Sequence, residues 1–262
     1  MFDSGVGGLS VLRALLAELP GTRFVYLADS AFAPYGERDA AEVSQRTHRV
    51  ASYLRKAHAI DALVLACNTA TAIAIDSLRK DHPDLPIVGV EPALKPAVGL
   101  SQSGCIGVLA TRGTLESPRF SVLRKRLMSQ VTGPLRFLCQ SCDGLAAAIE
   151  RNDDSAIQTL CERYTLALRD AAGPDLDAVV LGCTHYPFAM SALTRLLGSS
   201  VTLVDTAVPV ARRTREVLGL MPAAPGTSVP PPVLLATRDP QALEQAASRW
   251  LGLLTTARLV HP

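Results

Sequence analysis

Two short segments of the chain carry its most reactive side chains. Asp61-Ala62-Leu63-Val64-Leu65-Ala66-Cys67-Asn68-Thr69 aligns with Asp177-Ala178-Val179-Val180-Leu181-Gly182-Cys183-Thr184-His185 at a constant offset of 116 residues, with five of nine positions identical. Each copy is an apolar run, then a cysteine, then small polar residues that open a helix. That order puts Cys67 and Cys183 at the carboxyl end of a parallel strand, where open α/β sheets bind ligands. It also puts each near a helix N-terminus, which favours thiolate and lowers the pKa. Inverting a carbon stereocentre by proton exchange needs a base on one face and an acid on the other. A thiol with a pKa of about 8.5, lowered by its surroundings, serves in either role. The plainer alternative is a pair of structural cysteines in duplicated strands; the Asn-Thr and Thr-His that follow them favour chemistry.

Each thiol then needs a partner, and Asp3 and His185 are the groups at hand. Taken alone, Asp3 reads as a helix N-cap. Gly5, Gly7 and Gly8 do not complete G-x-G-x-x-G, and no G-x-x-x-x-G-K-[ST] occurs, so a nucleotide loop is disfavoured. The same glycines could present backbone donors to a carboxylate. Cys139-Gln140-Ser141-Cys142 is a lone C-x-x-C, and Cys183-x-His185 has the wrong spacing to complete a zinc site. Of Lys56, Lys80, Lys95 and Lys125, none sits in a small-residue loop after a strand as a Schiff-base lysine would. The expectation is chemistry with neither metal nor cofactor.

These side chains need a scaffold, and 262 residues with 48% hydrophobic content suffice for two modest α/β domains. The net charge of +2, without a run of five like charges, argues against a nucleic-acid partner. No apolar stretch approaches the roughly 20 residues of a membrane span. No basic and apolar leader opens the chain, so the expected location is the cytoplasm, with all six cysteines as free thiols.

Short β-branched and leucine-rich runs alternate with segments of helical period, the pattern of a parallel α/β fold. Strands are expected at Phe24–Ala28, Ala62–Ala66, Ile87–Val90, Ile106–Ala110, Leu135–Leu138, Ala178–Leu181, Val201–Val204 and Val233–Ala236. Helices are expected at Leu9–Glu18, Ala40–Lys56, Ala70–Lys80, Pro118–Ser129, Asp143–Arg151, Ser155–Ala172, Phe188–Leu197, Val208–Leu218 and Pro240–Leu251. Five prolines make Met221–Pro232 an exposed loop. The repeat implies two pseudo-symmetric domains, each a parallel sheet flanked by helices, with the site in the cleft between them. Their expected extents are residues 1–91 plus 207–262, carrying Cys67, and 92–206, carrying Cys183.

Five motifs in order make the chain resemble the aspartate/glutamate racemase family: Phe2-Asp3-Ser4-Gly5-Val6-Gly7-Gly8-Leu9-Ser10-Val11, Pro34-Tyr35-Gly36, Ala66-Cys67-Asn68-Thr69-Ala70, Gly107-Val108-Leu109-Ala110-Thr111 with Thr114, and Gly182-Cys183-Thr184-His185-Tyr186-Pro187. The resemblance implies a cofactor-independent racemase that interconverts L- and D-glutamate for peptidoglycan, with aspartate or hydantoin racemisation, or binding without turnover, as alternatives. It implies Cys67 and Cys183 as proton donor and acceptor, with Asp3, Glu150 and His185 as auxiliary groups. Asp3, Ser4, Tyr35, Gly36, Asn68, Thr69, Thr184 and His185 would form the substrate shell, with Thr111 and Thr114 as further candidates. The expected partners are glutamate and a second copy of the chain, with no nucleic acid and no membrane. Only Met1 and Phe2 precede Asp3, where the family has a longer strand. Either the true start lies upstream or the sheet is one strand short. Without a long N-terminal extension, activation by a cell-wall precursor is not expected.

Overall fold

A computed structural model describes residues 1–221 and 226–262. The strands are β1 (Phe2–Asp3), β2 (Val25–Ala28), β3 (Leu63–Leu65), β4 (Ile87–Gly89), β5 (Cys105–Ala110), β6 (Arg136–Ser141), β7 (Leu176–Gly182), β8 (Thr202–Val204), β9 (Val233–Ala236) and β10 (Ala257–Leu259). The α-helices are α1 (Leu9–Glu18), α2 (Ala40–His58), α3 (Asn68–Asp81), α4 (Leu94–Leu100), α5 (Arg112–Leu115), α6 (Pro118–Gln130), α7 (Leu145–Glu150), α8 (Asp154–Ala172), α9 (Met190–Leu197), α10 (Ala207–Val217) and α11 (Pro240–Leu251).

All strand pairs are parallel and form two sheets, β10-β9-β2-β1-β3-β4 and β6-β5-β7-β8. The second order is the inner order of the first, β2-β1-β3-β4, advanced by four strands. The duplication seen around the two cysteines therefore extends to the whole sheet topology. Strands buried on both faces read as continuous apolar runs. On β3, Leu63 and Leu65 pack on the α2 and α3 side, while Val64 packs with α1, α10 and α11 on the other. On β5, Ile106 and Val108 face α4 and α6, and Leu109 faces α7, α8 and α9. Polar residues start the helices where expected: Asp39, Ser117, Asp153 and Asp239 each accept a backbone N–H from the first turn.

Four expectations need correction. The first sheet is not one strand short: Phe2 and Asp3 pair with Leu27 and Ala28 of β2, and Phe2 with Leu65 of β3, so two residues make the central strand because neighbours bind both sides. The helix expected from Asp143 begins at Leu145, since Gly144 holds φ at 81° and breaks the turn before it. The helix expected from Phe188 begins at Met190, preceded by a 3-10 turn over Tyr186–Ala189 with Pro187 in it. Elements without strong periodicity, α4, α5 and β10, were not expected at all. Of the proline-rich loop, Pro222 and Pro225 lie outside the described residues, and the described remainder forms no helix or strand.

One buried ion pair fastens the loop after β2. Arg46 of α2 donates from Nε to Oδ2 and from Nη2 to Oδ1 of Asp29, both at 2.8 Å, with the guanidinium 4.2 Å from the Phe32 ring centroid. The Tyr35 hydroxyl donates to the same Oδ2 at 2.6 Å, which sets the position of Tyr35 and Gly36. Removing one partner of a buried pair leaves an uncompensated charge. Arg46→Ala should therefore lower stability by about 3–5 kcal/mol in urea titrations. A loss within the range of an ordinary surface substitution would show that the pair is not what holds this loop.

Candidate active site

The carboxyl ends of the inner strands meet at one place. β1 delivers Asp3 and Ser4, β3 delivers Cys67, β5 delivers Thr111, and β7 delivers Cys183, Thr184 and His185. Asp3 Oδ1 accepts from the Ser4 amide at 2.7 Å and from the Ser4 hydroxyl at 3.4 Å, and the Cys67 thiol lies 3.8 Å from that hydroxyl. Asp3 Oδ2 accepts from the Thr184 hydroxyl at 3.1 Å. One carboxylate thus links the Cys67 side of the site to the residue following Cys183. On that far side, Cys183 Sγ lies 3.6 Å from Nδ1 of His185, whose Nε2 lies 2.5 Å from Glu150 Oε1. The same oxygen accepts from the Val6 amide at 2.6 Å, back on the β1–α1 loop.

The glycines of that loop answer to this contact. A Cβ on Gly5 would overlap the Glu150 carboxylate, and one on Gly7 would overlap the His185 ring. They are spaces for side chains from the other sheet, and the backbone donor they leave open, Val6 N–H, meets a carboxylate of the protein itself. Gly36 has the same function on the opposite rim, where a Cβ would collide with Thr111. There the Thr111 hydroxyl lies 3.1 Å from that of Thr69 and 3.0 Å from that of Thr114.

Electrostatics separate the two halves of the site. Burial pushes the Asp3 carboxyl up, and the His185 charge pulls it partly back. Burial and then the Asp3 charge raise the Cys67 thiol well above its ordinary value. The expected lowering by a helix N-terminus is present, since Cys67 caps α3 and accepts from the Ala70 amide at 3.5 Å, but desolvation outweighs it. Cys183 is followed by the 3-10 turn instead of an α-helix, so the expected helix N-terminus is absent there and the His185 ring takes its place. Burial works to lower the His185 pKa, yet its bonds to Cys183 and Glu150 overcome this and hold it well above the ordinary value. An imidazolium donates from both nitrogens, one toward the thiol and one toward the carboxylate.

The sequence candidates therefore gather unequally. Asp3, Ser4, Cys67, Glu150, Cys183, Thr184 and His185 form one connected network. Asn68 sits in the first turn of α3, 3% exposed, and neither Nδ2 nor Oδ1 has a protein partner. A buried amide is normally satisfied, so this donor and acceptor are available to a bound molecule. The Tyr35 hydroxyl is engaged by Asp29, which leaves the backbone of Tyr35 and Gly36 for any ligand. Cys139 is exposed on β6, whereas Cys142 is buried in the core. Ser10, Tyr26, Asp29 and Arg46 were not foreseen. Tyr26 donates to the Gly5 carbonyl at 2.5 Å and holds the glycine loop from behind. The available signal was a polar residue inside an apolar stripe, as for Ser10 between Leu9 and Val11.

A duplicated open α/β fold thus brings two buried thiols to equivalent strand ends, each beside a group that can alter its charge. The chain belongs to the Asp/Glu/Hydantoin racemase family, whose family model matches residues 7–214. A glutamate racemase from Ralstonia nicotianae is 44% identical over 254 residues, covering 96% of this chain and 88% of its own. Among solved structures, Escherichia coli glutamate racemase in complex with L-glutamate and the activator UDP-MurNAc-ala superposes with a TM-score of 0.85 at 29% identity, covering 99% of this chain and 97% of that one. A glutamate racemase isoform from Bacillus anthracis matches equally, with a TM-score of 0.85 at 29% identity over 99% and 96% of the two chains.

The raised His185 pKa carries a stability signature. A base that holds its proton more tightly when folded contributes stability that is complete below its unfolded pKa and is lost as pH rises through the folded value. Glu150→Gln removes one of the two groups that hold the proton. The Tm advantage of the wild type over this variant should therefore shrink as pH rises from about 6.5, the ordinary imidazole value. A gap that is constant or widens with pH in thermal unfolding would contradict the imidazolium assignment.

Proposed function

We propose that this chain interconverts L- and D-glutamate by a two-base mechanism without a cofactor, and that its D-glutamate serves peptidoglycan synthesis. The observation that carries the mechanism is the connection from Cys67 through Ser4, Asp3 and Thr184 to Cys183, drawn from equivalent strand ends of two sheets of the same topology. Glutamate as substrate rests on relatives of that name across nearly the whole chain.

In this reading one thiolate removes the α-proton, and the thiol opposite gives its own proton to the other face of the carbanion. The first sulfur ends protonated and the second ionised, so the reverse reaction starts from the state that the forward one leaves. Asp3, Glu150 and His185 tune and orient the thiols. Ser4, Tyr35, Gly36, Asn68, Thr69, Thr184 and the two auxiliary groups Asp3 and His185 hold the substrate, and a substrate ammonium beside Asp3 supplies positive charge that offsets the desolvation of Cys67. The domains in this reading are 1–91 plus 207–262 and 92–206, an assignment supported by the division of the strands between the sheets. No helix among the described residues is long and apolar enough to cross a membrane. A cytoplasmic homodimer completes the proposal.

A chiral assay in heavy water tests it. Starting from either enantiomer of glutamate, early product should carry deuterium at the α-carbon while recovered substrate stays protiated. Cys67→Ala and Cys183→Ala should each lower racemisation by about a hundredfold or more, and Cys139→Ala should leave it near wild type. Aspartate should turn over poorly, because a displaced carboxylate leaves buried donors unpaired. Equal labelling of substrate and product would replace two bases with one. Equal turnover of aspartate would remove glutamate as the particular substrate.

A further inference from the structure

Ser10 has no part in the mechanism above, yet it touches the segment that carries it. It lies in the first turn of α1, 2% exposed, among Leu9, Val11 and Leu12. Its hydroxyl stands 2.8 Å from the Gly7 carbonyl, one turn back, and 2.9 Å from the Thr184 carbonyl, which belongs to the other sheet's loop. A hydroxyl has a single hydrogen, so one donor serves two acceptors. The Thr184 carbonyl is part of the peptide joining Thr184 to His185, directly after Cys183. Together with the Thr184 hydroxyl on Asp3, the Ser10 contact holds this residue from two sides.

The thiols are only 5% exposed at Cys67 and 7% at Cys183, and a parting of the two halves is one way for a glutamate to reach them. Parting breaks the Ser10 contact to Thr184 but leaves the one to Gly7, which lies within the same half as Ser10. No donor is then stranded in the apolar interior, and the Thr184 carbonyl turns to water.

We propose that Ser10 is a positioning residue for Cys183: in the closed form its hydroxyl fixes the Thr184–His185 peptide plane that follows Cys183, and in the open form it returns to the Gly7 carbonyl. The inference rests on the two-thiol reading. It also predicts an asymmetry. When Cys183 is misplaced, a carbanion formed by Cys67 is reprotonated slowly from the far side and lives long enough for the Cys67 thiol to exchange its hydrogen with heavy water; return from that thiol then puts deuterium into the substrate. A carbanion formed by Cys183 still meets a well-placed Cys67 and goes forward.

The experiment compares wild type, Ser10→Ala, Ser10→Thr and Cys183→Ala, each assayed from both enantiomers in heavy water with α-proton exchange followed by NMR. Alanine is the best helix former, so Ser10→Ala should fold, and threonine keeps a hydroxyl able to bond a carbonyl of the preceding turn. The two enantiomers have equal free energy, so kcat/KM must fall equally in both directions and cannot show the asymmetry. Ser10→Ala should lower kcat by about tenfold to a hundredfold with KM within about twofold. Recovered substrate should become labelled from one enantiomer only, and Ser10→Thr should restore most of kcat. Wild-type kcat in Ser10→Ala, or equal substrate labelling from both enantiomers, beside an inactive Cys183→Ala, overturns the inference alone. Racemisation that survives Cys183→Ala overturns the two-thiol reading and the inference with it.

Discussion

One carboxylate oxygen joins the two halves of the site. Oε1 of Glu150, the last residue of α7, accepts from the Val6 amide in the β1–α1 loop and faces Nε2 of His185, just past β7. Three segments far apart in the chain meet at this atom, and the Glu150 and His185 side chains must both lie against the β1–α1 loop. Glycine at positions 5 and 7 is what permits the approach. The loop cannot retreat, because the Tyr26 hydroxyl holds the Gly5 carbonyl and a Cβ on Gly8 would meet Asp3 and Tyr26. The glycine-rich turn therefore offers its Val6 amide to a carboxyl group from the protein's own second half.

That contact decides the charge balance of a buried site. Desolvation penalises every ion there, and coulombic attraction is strong in the same medium. Asp3 and Cys67 share one small volume, and burial raises both, so the thiol stays protonated while the carboxylate is near. At His185 burial acts in the opposite sense and loses to two hydrogen-bonded partners, so a cation persists beside Cys183. The two sulfurs therefore meet opposite fields, one near a carboxylate and one near an imidazolium.

Much of this was legible in the sequence because it is carried by local pattern. Apolar runs buried on both faces announce β3, β5 and β7, α1 spans the residues its period predicts, and α11 is bounded by Asp239, Pro240 and Gly252. The repeat around Cys67 and Cys183 exposes the duplication, since the same strand end must be rebuilt in the second sheet. What escaped depends on contacts distant in the chain. β1 is too short to show a period and exists because β2 and β3 flank it. Asp29 and Arg46 are ordinary charges until folding buries them together. The direction of the Cys67 shift was misjudged because a helix N-terminus is visible in sequence and the degree of burial is not. Motif resemblance singled out Glu150, and only the fold shows the three segments that meet at its carboxylate.

Duplication has not made the halves equal. After Cys67 the chain enters α3 at once, and the sulfur receives a helix amide and a serine hydroxyl; after Cys183 a 3-10 turn intervenes, and the sulfur receives an imidazole ring. A racemase can carry such a difference at no thermodynamic penalty. Its substrate and product have the same free energy in water, so the ratio of kcat to KM must be equal in the two directions whatever the two bases are. That ratio cannot register that the thiols differ; the separate values of kcat and KM and the exchange of the α-proton into recovered substrate can. Selection on the overall reaction therefore leaves each half free to differ in the residues that follow its cysteine. The symmetry imposed on the chemistry lies at the level of the strand ends, which the duplicated sheets supply, and the asymmetry lies in the one or two residues that follow each cysteine.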